Sequence, residues 1–450
     1  MESKPDRCVL LGAAGRDYFN FLQYFKDNPA FEVVCFTAAQ IPGIEKRVFP
    51  KELAGKLYPK GILIYPEEKL AEIIVKEKID DVFLCYSDLS FQEVMEKASI
   101  AIANGANFGL LGTKATMIKS KKPVISVTAV RTGSGKSQTS RKIGMILRKM
   151  GFKVVVVRHP MAYGDLRKQE VERFANYSDL AKNKTTIEEN EEYEPWIKIG
   201  IPVYAGVDYT KILMHAEKEA DIIIWDGGNN DFSFYKPDLN IVVVDPLRAG
   251  HEVKYYPGMI NFLMADVIII NKIDHAQKRG IKLIESNIAK YNPRAVVIKA
   301  KSKITFNYKG QLRGKKVIVV EDGPTVTHGG MKYGAGTIVA KEHHCRIVDA
   351  SHYAVGSIKE TYKKFKHLDK ILPAMGYSKK QVDELQQTID KSNADLVIDG
   401  SPADLSRIMK TKKPIVRVNY ELDEIGNVNL ASILKEFVKK NKDLNARDRI

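Results

Sequence analysis

The run PVISVTAVRTGSGKSQTS, from Pro123 to Ser140, constrains this chain more than any other stretch. Its β-branched apolar segment reads as a buried strand, the glycines beyond it as a tight turn, and Lys136-Ser137 as the opening of a helix. Strand, glycine-rich turn and helix in that order present successive backbone N–H groups at the positive end of a helix, which is what a polyphosphate requires. The pattern G-x-x-x-x-G-K-[ST] lacks its first glycine, because Val130 stands there. The variant G-K-G-G-x-G-K-[ST] fits better: Gly133, Gly135, Lys136 and Ser137 match, and Arg131 occupies the position of a second lysine. Thr132, Gly133, Ser134, Gly135, Lys136, Ser137 and Gln138 are therefore the expected nucleotide-binding loop. Lys136 would bridge the β- and γ-phosphates, Ser137 would ligate Mg²⁺, and Arg131 would neutralise charge on the transferring group.

Two downstream runs extend this reading. DIIIWD, Asp221 to Asp226, is a buried strand ending in a carboxylate and followed by Gly227-Gly228-Asn229-Asn230-Asp231. That pattern is how a Walker B strand delivers an acid to Mg²⁺, so Asp226 is the metal-side and catalytic candidate. VIIINKID, Val267 to Asp274, ends in Asn-Lys-x-Asp, which reads as base recognition by Asn271, Lys272 and Asp274. Guanine and adenine both remain open, so ATP and GTP both stand as co-substrates.

The chain has 450 residues, enough for two or three domains. Strand-like and helix-like runs alternate almost throughout, which predicts an α/β, multi-domain protein built on parallel sheets. A Rossmann-like N-terminal unit is expected over 1–112, a linker over 113–122, a doubly wound P-loop NTPase unit over 123–302 and a C-terminal α/β extension over 303–450. In the first unit the turn Gly12-Ala13-Ala14-Gly15-Arg16-Asp17 is a partial dinucleotide fingerprint without its third glycine. Dinucleotide binding, another phosphate and ordinary tight-turn geometry all fit it. The polar segment from Asn176 to Tyr193 is expected to cross over the active face.

A net charge of +16 at pH 7 invites a nucleic-acid reading, but the lysines are scattered and interleaved with glutamates, with no aromatic-lined basic patch. No nucleic-acid partner is expected. The excess charge suits a Lys/Glu-rich surface of the heat-adapted kind and would steer a polyanionic substrate. The four cysteines show neither disulfide nor metal spacing, and no apolar run approaches about 18 residues. The expectation is a cytoplasmic protein with no membrane partner. Zinc at His343-His344-Cys345 is disfavoured, since adjacent histidines seldom converge on one tetrahedral ion.

Open α/β sheets bind ligands at the carboxyl ends of their strands, where four charged, glycine-rich loops follow apolar runs. From them Arg158, His159, Arg248, His251, Asp322, Thr327, His328 and Gly329 are the candidate substrate residues, able to clamp phosphate or carboxylate groups. The P-loop with R-T-G-S-G-K-S, the loop D-P-L-R-A-G-H-E and the segment E-D-G-P-T-x-T-H-G-G-M-x-Y-G-A-G resemble the archaeal cyclic 2,3-diphosphoglycerate synthetase family and its homologues labelled predicted GTPases, within the SIMIBI class of P-loop NTPases. The resemblance spans most of the chain. It implies a nucleotide-dependent ligase in which ATP closes a phosphoanhydride within 2,3-bisphosphoglycerate, a small phosphorylated acid, and it implies a homodimer. The alternative from another class is a GTPase that switches or delivers a partner.

Overall fold

The computed structural model describes residues 4–13, 15–39, 47–159, 164–327, 329–374, 379–402 and 404–447. Among them, the N-terminal unit forms a six-stranded sheet in the order Val48–Phe49, Ile62–Pro66, Phe31–Ala38, Asp6–Leu11, Asp81–Leu84, Asn107–Gly109. All its pairings are parallel except that of Val48–Phe49. The helix Phe91–Ala103 starts where the sequence implies: Ser90 accepts from the Glu93 N–H while the Glu93 carboxylate accepts from the Ser90 N–H, a complete capping box.

Of the remaining strands, Leu89–Ser90 and Tyr255–Tyr256 pair antiparallel with each other and the others form one long sheet. Its central strands, Val154–Arg158, Ile222–Asp226, Val124–Ala129, Leu239–Val244 and Val267–Ile270, are parallel and flanked on both faces. Every residue of VISVTA, IIIWD and LNIVVV is buried, as expected for strands covered on both sides, whose sequences run apolar without alternation.

The strand Val296–Phe306 pairs antiparallel with Ile415–Ile425, which joins Leu396–Gly400 and Lys316–Glu321. The expected boundary at 302/303 therefore falls inside a strand, and the C-terminal unit continues the P-loop sheet. Alternation along Val296–Phe306 is buried-exposed, and a strand of that kind carries no turn signal at which a sequence reader would divide it. The excursion from Asn176 folds into the helices Tyr177–Asn183 and Ile187–Lys198. The second of these lies over the carboxyl end of the sheet, with Glu191, Glu192 and Glu194 lining the cavity there.

Candidate active site

The turn after Val124–Ala129 leads into the helix Lys136–Lys149. Gly135 has φ +108° and its α-carbon faces the amide of Asn271, so a side chain at that position would be strained and would strike Asn271. Lys136 is buried, with Nζ 3.0 Å from Asp226 Oδ1. Ser140 Oγ donates to the same oxygen at 2.7 Å, Arg158 Nη1 lies 2.6 Å from Asp226 Oδ2, and Trp196 Nε1 donates to Oδ2 at 3.3 Å. Burial opposes ionisation of Asp226, but the Arg158 and Lys136 cations overcome it and hold the carboxyl below the usual carboxylate range. Burial pushes the Lys136 amine down, and Asp226 partly restores it.

Both Asp226 oxygens are met by protein donors and the side chain is fully buried. Ser137 lines the cavity and fits a Mg²⁺ held mainly by phosphate oxygens and water. Among the described residues there is no group of three or more His, Cys, Asp or Glu able to hold a metal.

Arg131 is enclosed: Nε donates to Asp88 Oδ1 at 2.7 Å, Nη1 meets His251 Nδ1 at 2.8 Å, and the guanidinium lies 3.7 Å from the Tyr255 ring centroid. Thr132 Oγ1 donates to Asp88 Oδ2 at 2.9 Å. A carboxylate of the N-terminal unit therefore holds two residues of the P-loop. Burial pushes the His251 imidazole down to about 4, with Arg131 and Arg248 adding to the effect.

Several candidates brace the loop. Arg248 donates to the carbonyls of Thr132 at 2.7 Å and Gly329 at 2.9 Å and pairs with Asp245 at 3.0 Å. Asn271 Nδ2 donates to the Ser134 carbonyl at 3.0 Å, and Lys272 Nζ to the Gly133 carbonyl at 2.6 Å. Asp274 lies 3.6 Å from His275 and is absent from the cavity wall. Ser134, Arg248, His251, Asn271, Thr327 and Gly329 are likewise outside that wall. Thr327 Oγ1 donates to the Gly323 carbonyl at 2.7 Å, and the Thr327 and Gly329 N–H groups donate to the carbonyls of Gly323 and Pro324, both at 2.9 Å. His328 lies outside the described residues.

Arg131, Thr132, Gly133, Gly135, Lys136, Ser137, Gln138, Arg158, His159, Lys272 and Asp322 do line one continuous cavity of about 1740 Å³. A single small-molecule site occupies roughly 300–1,000 Å³, so this one has room for a nucleotide and a second ligand. Burial raises the Asp322 carboxyl to about 6, opposed by the Thr325 hydroxyl that donates to it. Asp88, Trp196, Glu192 and Ser140 were not foreseen. Asp88 follows the apolar run DVFLCYS at a strand's carboxyl end, and that position was the available signal.

A glycine-rich turn between a buried parallel strand and a helix, in a doubly wound sheet, defines a P-loop NTPase fold. The chain is 60% identical to arginine synthetase ArcE of Thermococcus kodakarensis over 439 residues, 97% of this chain and 98% of that protein. It belongs to that synthetase family. A cyclic 2,3-diphosphoglycerate synthetase of Thermococcus sibiricus is 25% identical over 212 residues, 46% of each chain. No family model matches the sequence. Among solved structures, LpxK from Aquifex aeolicus in complex with ATP aligns with 72% of this chain and 90% of its own at 14% identity and a TM-score of 0.41. Cobyrinic acid a,c-diamide synthase from Mycobacterium smegmatis covers 40% of this chain and 72% of its own at 15% identity and a TM-score of 0.19. Among the described residues no helix is long and apolar enough to cross a membrane.

Proposed function

We propose that this protein is an ATP-dependent ligase that builds the guanidinium of arginine from a ureido amino acid and ammonia. The observation that carries the reading is the near full-length identity to ArcE, in a chain whose P-loop opens into a cavity large enough for two ligands. Arginine with one guanidinium nitrogen replaced by oxygen is citrulline, whose ureido carbon needs an activated leaving group before an amine can displace it. In the balanced sequence the ureido oxygen attacks the γ-phosphorus and ADP leaves. Ammonia then adds to the carbon, inorganic phosphate departs with the former ureido oxygen, and the excess proton passes to solvent or phosphate.

Lys136 and the N–H groups of Thr132 to Ser137 are suited to hold the phosphate chain, and Arg131 to balance charge on the moving phosphoryl. Bound Mg²⁺ would supply neutralisation of the phosphate oxygens, with Ser137 as its protein ligand. ATP is preferred to GTP here because Asp274, the residue that would read guanine, is not in the cavity wall. A homodimer and a cytoplasmic setting accompany this reading as proposals.

Incubation of the protein with Mg²⁺, ATP or GTP, citrulline and ammonium, followed by quantification of arginine and nucleoside diphosphate, tests it. Equimolar arginine and ADP, dependent on both citrulline and ammonium, is the expected result. Nucleotide consumption with 2,3-bisphosphoglycerate and none with citrulline would favour the phosphoanhydride-forming reaction instead, the reading to which the 25% identical relative points.

A further inference from the structure

The cavity does not end at the P-loop. It continues past Gly228, Asn229 and His159 to the N-terminal sheet, where Gly12, Ala13, Gly15, Arg16 and Tyr86 form its far wall. The strands Asp6–Leu11 and Asp81–Leu84, which lead to these residues, are neighbours at the centre of the sheet, where the strand order reverses. That is the switch point at which open α/β sheets bind ligands.

A dinucleotide is not its occupant. The Gly15 and Tyr18 N–H groups, which would cradle a pyrophosphate, donate to the Asp17 carboxylate at 3.1 and 2.8 Å. The neighbouring strand ends in Thr37-Ala38 and is followed by Ala39, without the acid that a ribose needs.

At the seam between the two units lie three polar side chains with unmet hydrogen bonds. Arg16 Nε pairs with Asp231 Oδ1 at 2.6 Å and its guanidinium stacks 3.6 Å from the Phe232 ring centroid, but among the described residues Nη1 has no hydrogen-bond partner. Asp231 Oδ2 and His159 Nδ1 likewise have no hydrogen-bond partner among the described residues and stand 3.6 Å apart. Arg16 and Asp231 are 3% and 1% exposed, respectively, and all three residues line the cavity. His159 is pressed onto Gly228, where an added Cβ would come within 2.6 Å of its ring. The seam is thus fixed directly behind the loop that follows Asp226. Buried polar groups are normally satisfied, and unpaired ones call for a ligand or a functional reason.

We propose that this seam, walled by Arg16, His159 and Asp231, binds the uncharged ureido head group of the acceptor, its oxygen accepting from Arg16 and its amide nitrogen donating to Asp231. The inference rests on the ligase reading above. A ureido group offers both an acceptor and donors, matching an unpaired donor beside an unpaired carboxylate oxygen. A phosphate offers acceptors only and would be repelled by Asp231. From this seat the ureido oxygen faces the loop carrying Gly228, on the side from which a γ-phosphoryl in the P-loop would be approached.

The test compares wild type with Asp231→Asn and His159→Ala, measuring ATP affinity by calorimetry, citrulline affinity in the presence of ADP, and steady-state kinetics. Both variants are expected to raise the KM and Kd for citrulline by roughly 10- to 100-fold while ATP affinity stays within about threefold. His159→Ala leaves the Arg16 ion pair intact, so it keeps the test decisive if Asp231→Asn does not fold. Wild-type turnover of citrulline with unchanged citrulline affinity in a folded variant overturns the seam and leaves the ligase standing. Wild type that neither binds nor turns over citrulline overturns both.

Discussion

Arg131 and Asp88 are 43 residues apart in sequence, lie in loops that follow strands of different sheets, and meet at 2.7 Å with side chains only 5% and 6% exposed. The N-terminal unit thereby holds the P-loop cation, and with it Thr132. An ion pair removed from water depends on both partners, and deleting one leaves the other without compensation.

Asp88→Ala should lower unfolding stability by about 3 kcal/mol, because it leaves Arg131 buried without its carboxylate. Arg131→Ala combined with Asp88→Ala should cost less than the sum of the single changes. Urea unfolding of the four proteins measures the coupling, and additive losses would show that the pair contributes nothing. Arg131→Ala is also expected to reduce kcat more than ATP affinity if the cation acts on the transferring phosphoryl.

Arg248 ties three segments together by donating to the Thr132 and Gly329 carbonyls and pairing with Asp245. Arg248→Ala should weaken ATP binding by about tenfold through a loosened loop. The citrulline KM should stay near its wild-type value. A selective loss of acceptor affinity would instead return Arg248 to the role of substrate clamp.

The sheets were legible because buried parallel strands such as IIIWD and VIII announce themselves as unbroken apolar runs, and the P-loop because its glycines and Lys136 have fixed spacing. What could not be read was direction. Arg158 and Arg248 both follow apolar strands in charged, glycine-bearing loops, yet one lines the cavity and the other points into the protein. Arg158 turns toward Asp226 and Glu192, and Arg248 toward the Thr132 and Gly329 carbonyls, partners brought near only by the fold. Asp88 was hidden for the same reason: nothing local to it signals Arg131. The continuous sheet across 302/303 was missed because a long strand with alternating burial leaves no boundary mark.

Asp274 offers a direct contrast with its motif. Asn271 and Lys272 hold P-loop carbonyls, whereas Asp274 is outside the cavity wall. Asp274→Ala should therefore change ATP and GTP affinity alike and by less than about threefold, a change worth under 1 kcal/mol. Lys272→Ala should weaken both nucleotides substantially. Calorimetric titration decides, and a loss confined to GTP would restore guanine recognition.

Glu172 and Glu189 share Gln169, whose amide nitrogen donates to them at 3.4 and 3.3 Å. Burial, with the Glu189 charge adding to it, raises the Glu172 carboxyl to about 7. A carboxylate whose folded value lies above its unfolded value of about 4.3 takes up a proton on folding, so stability falls as pH rises between these values. Glu172→Gln should accordingly be nearly neutral near pH 4 and stabilising by about 2–4 kcal/mol above pH 7. Thermal unfolding across this range measures the gap, and a difference that does not grow with pH would refute the assignment.

Asp226 titrates in the opposite sense. Burial alone would raise its carboxyl, but Arg158 and Lys136 outweigh that and hold it below the usual range. A group with a depressed folded value releases its proton on folding. Its contribution is therefore complete above the unfolded value of about 3.9 and is lost as pH falls through the folded one. Asp226→Asn should lower stability at neutral pH by about 3–5 kcal/mol, since two buried cations then face an amide. The deficit relative to wild type should shrink below about pH 4, where the carboxylate of the unfolded wild type takes up a proton before that of the folded protein does. Urea unfolding on both sides of that pH measures the change. A deficit independent of pH would mean that Asp226 acts through hydrogen bonding to Ser140 and Trp196, with no stabilising charge.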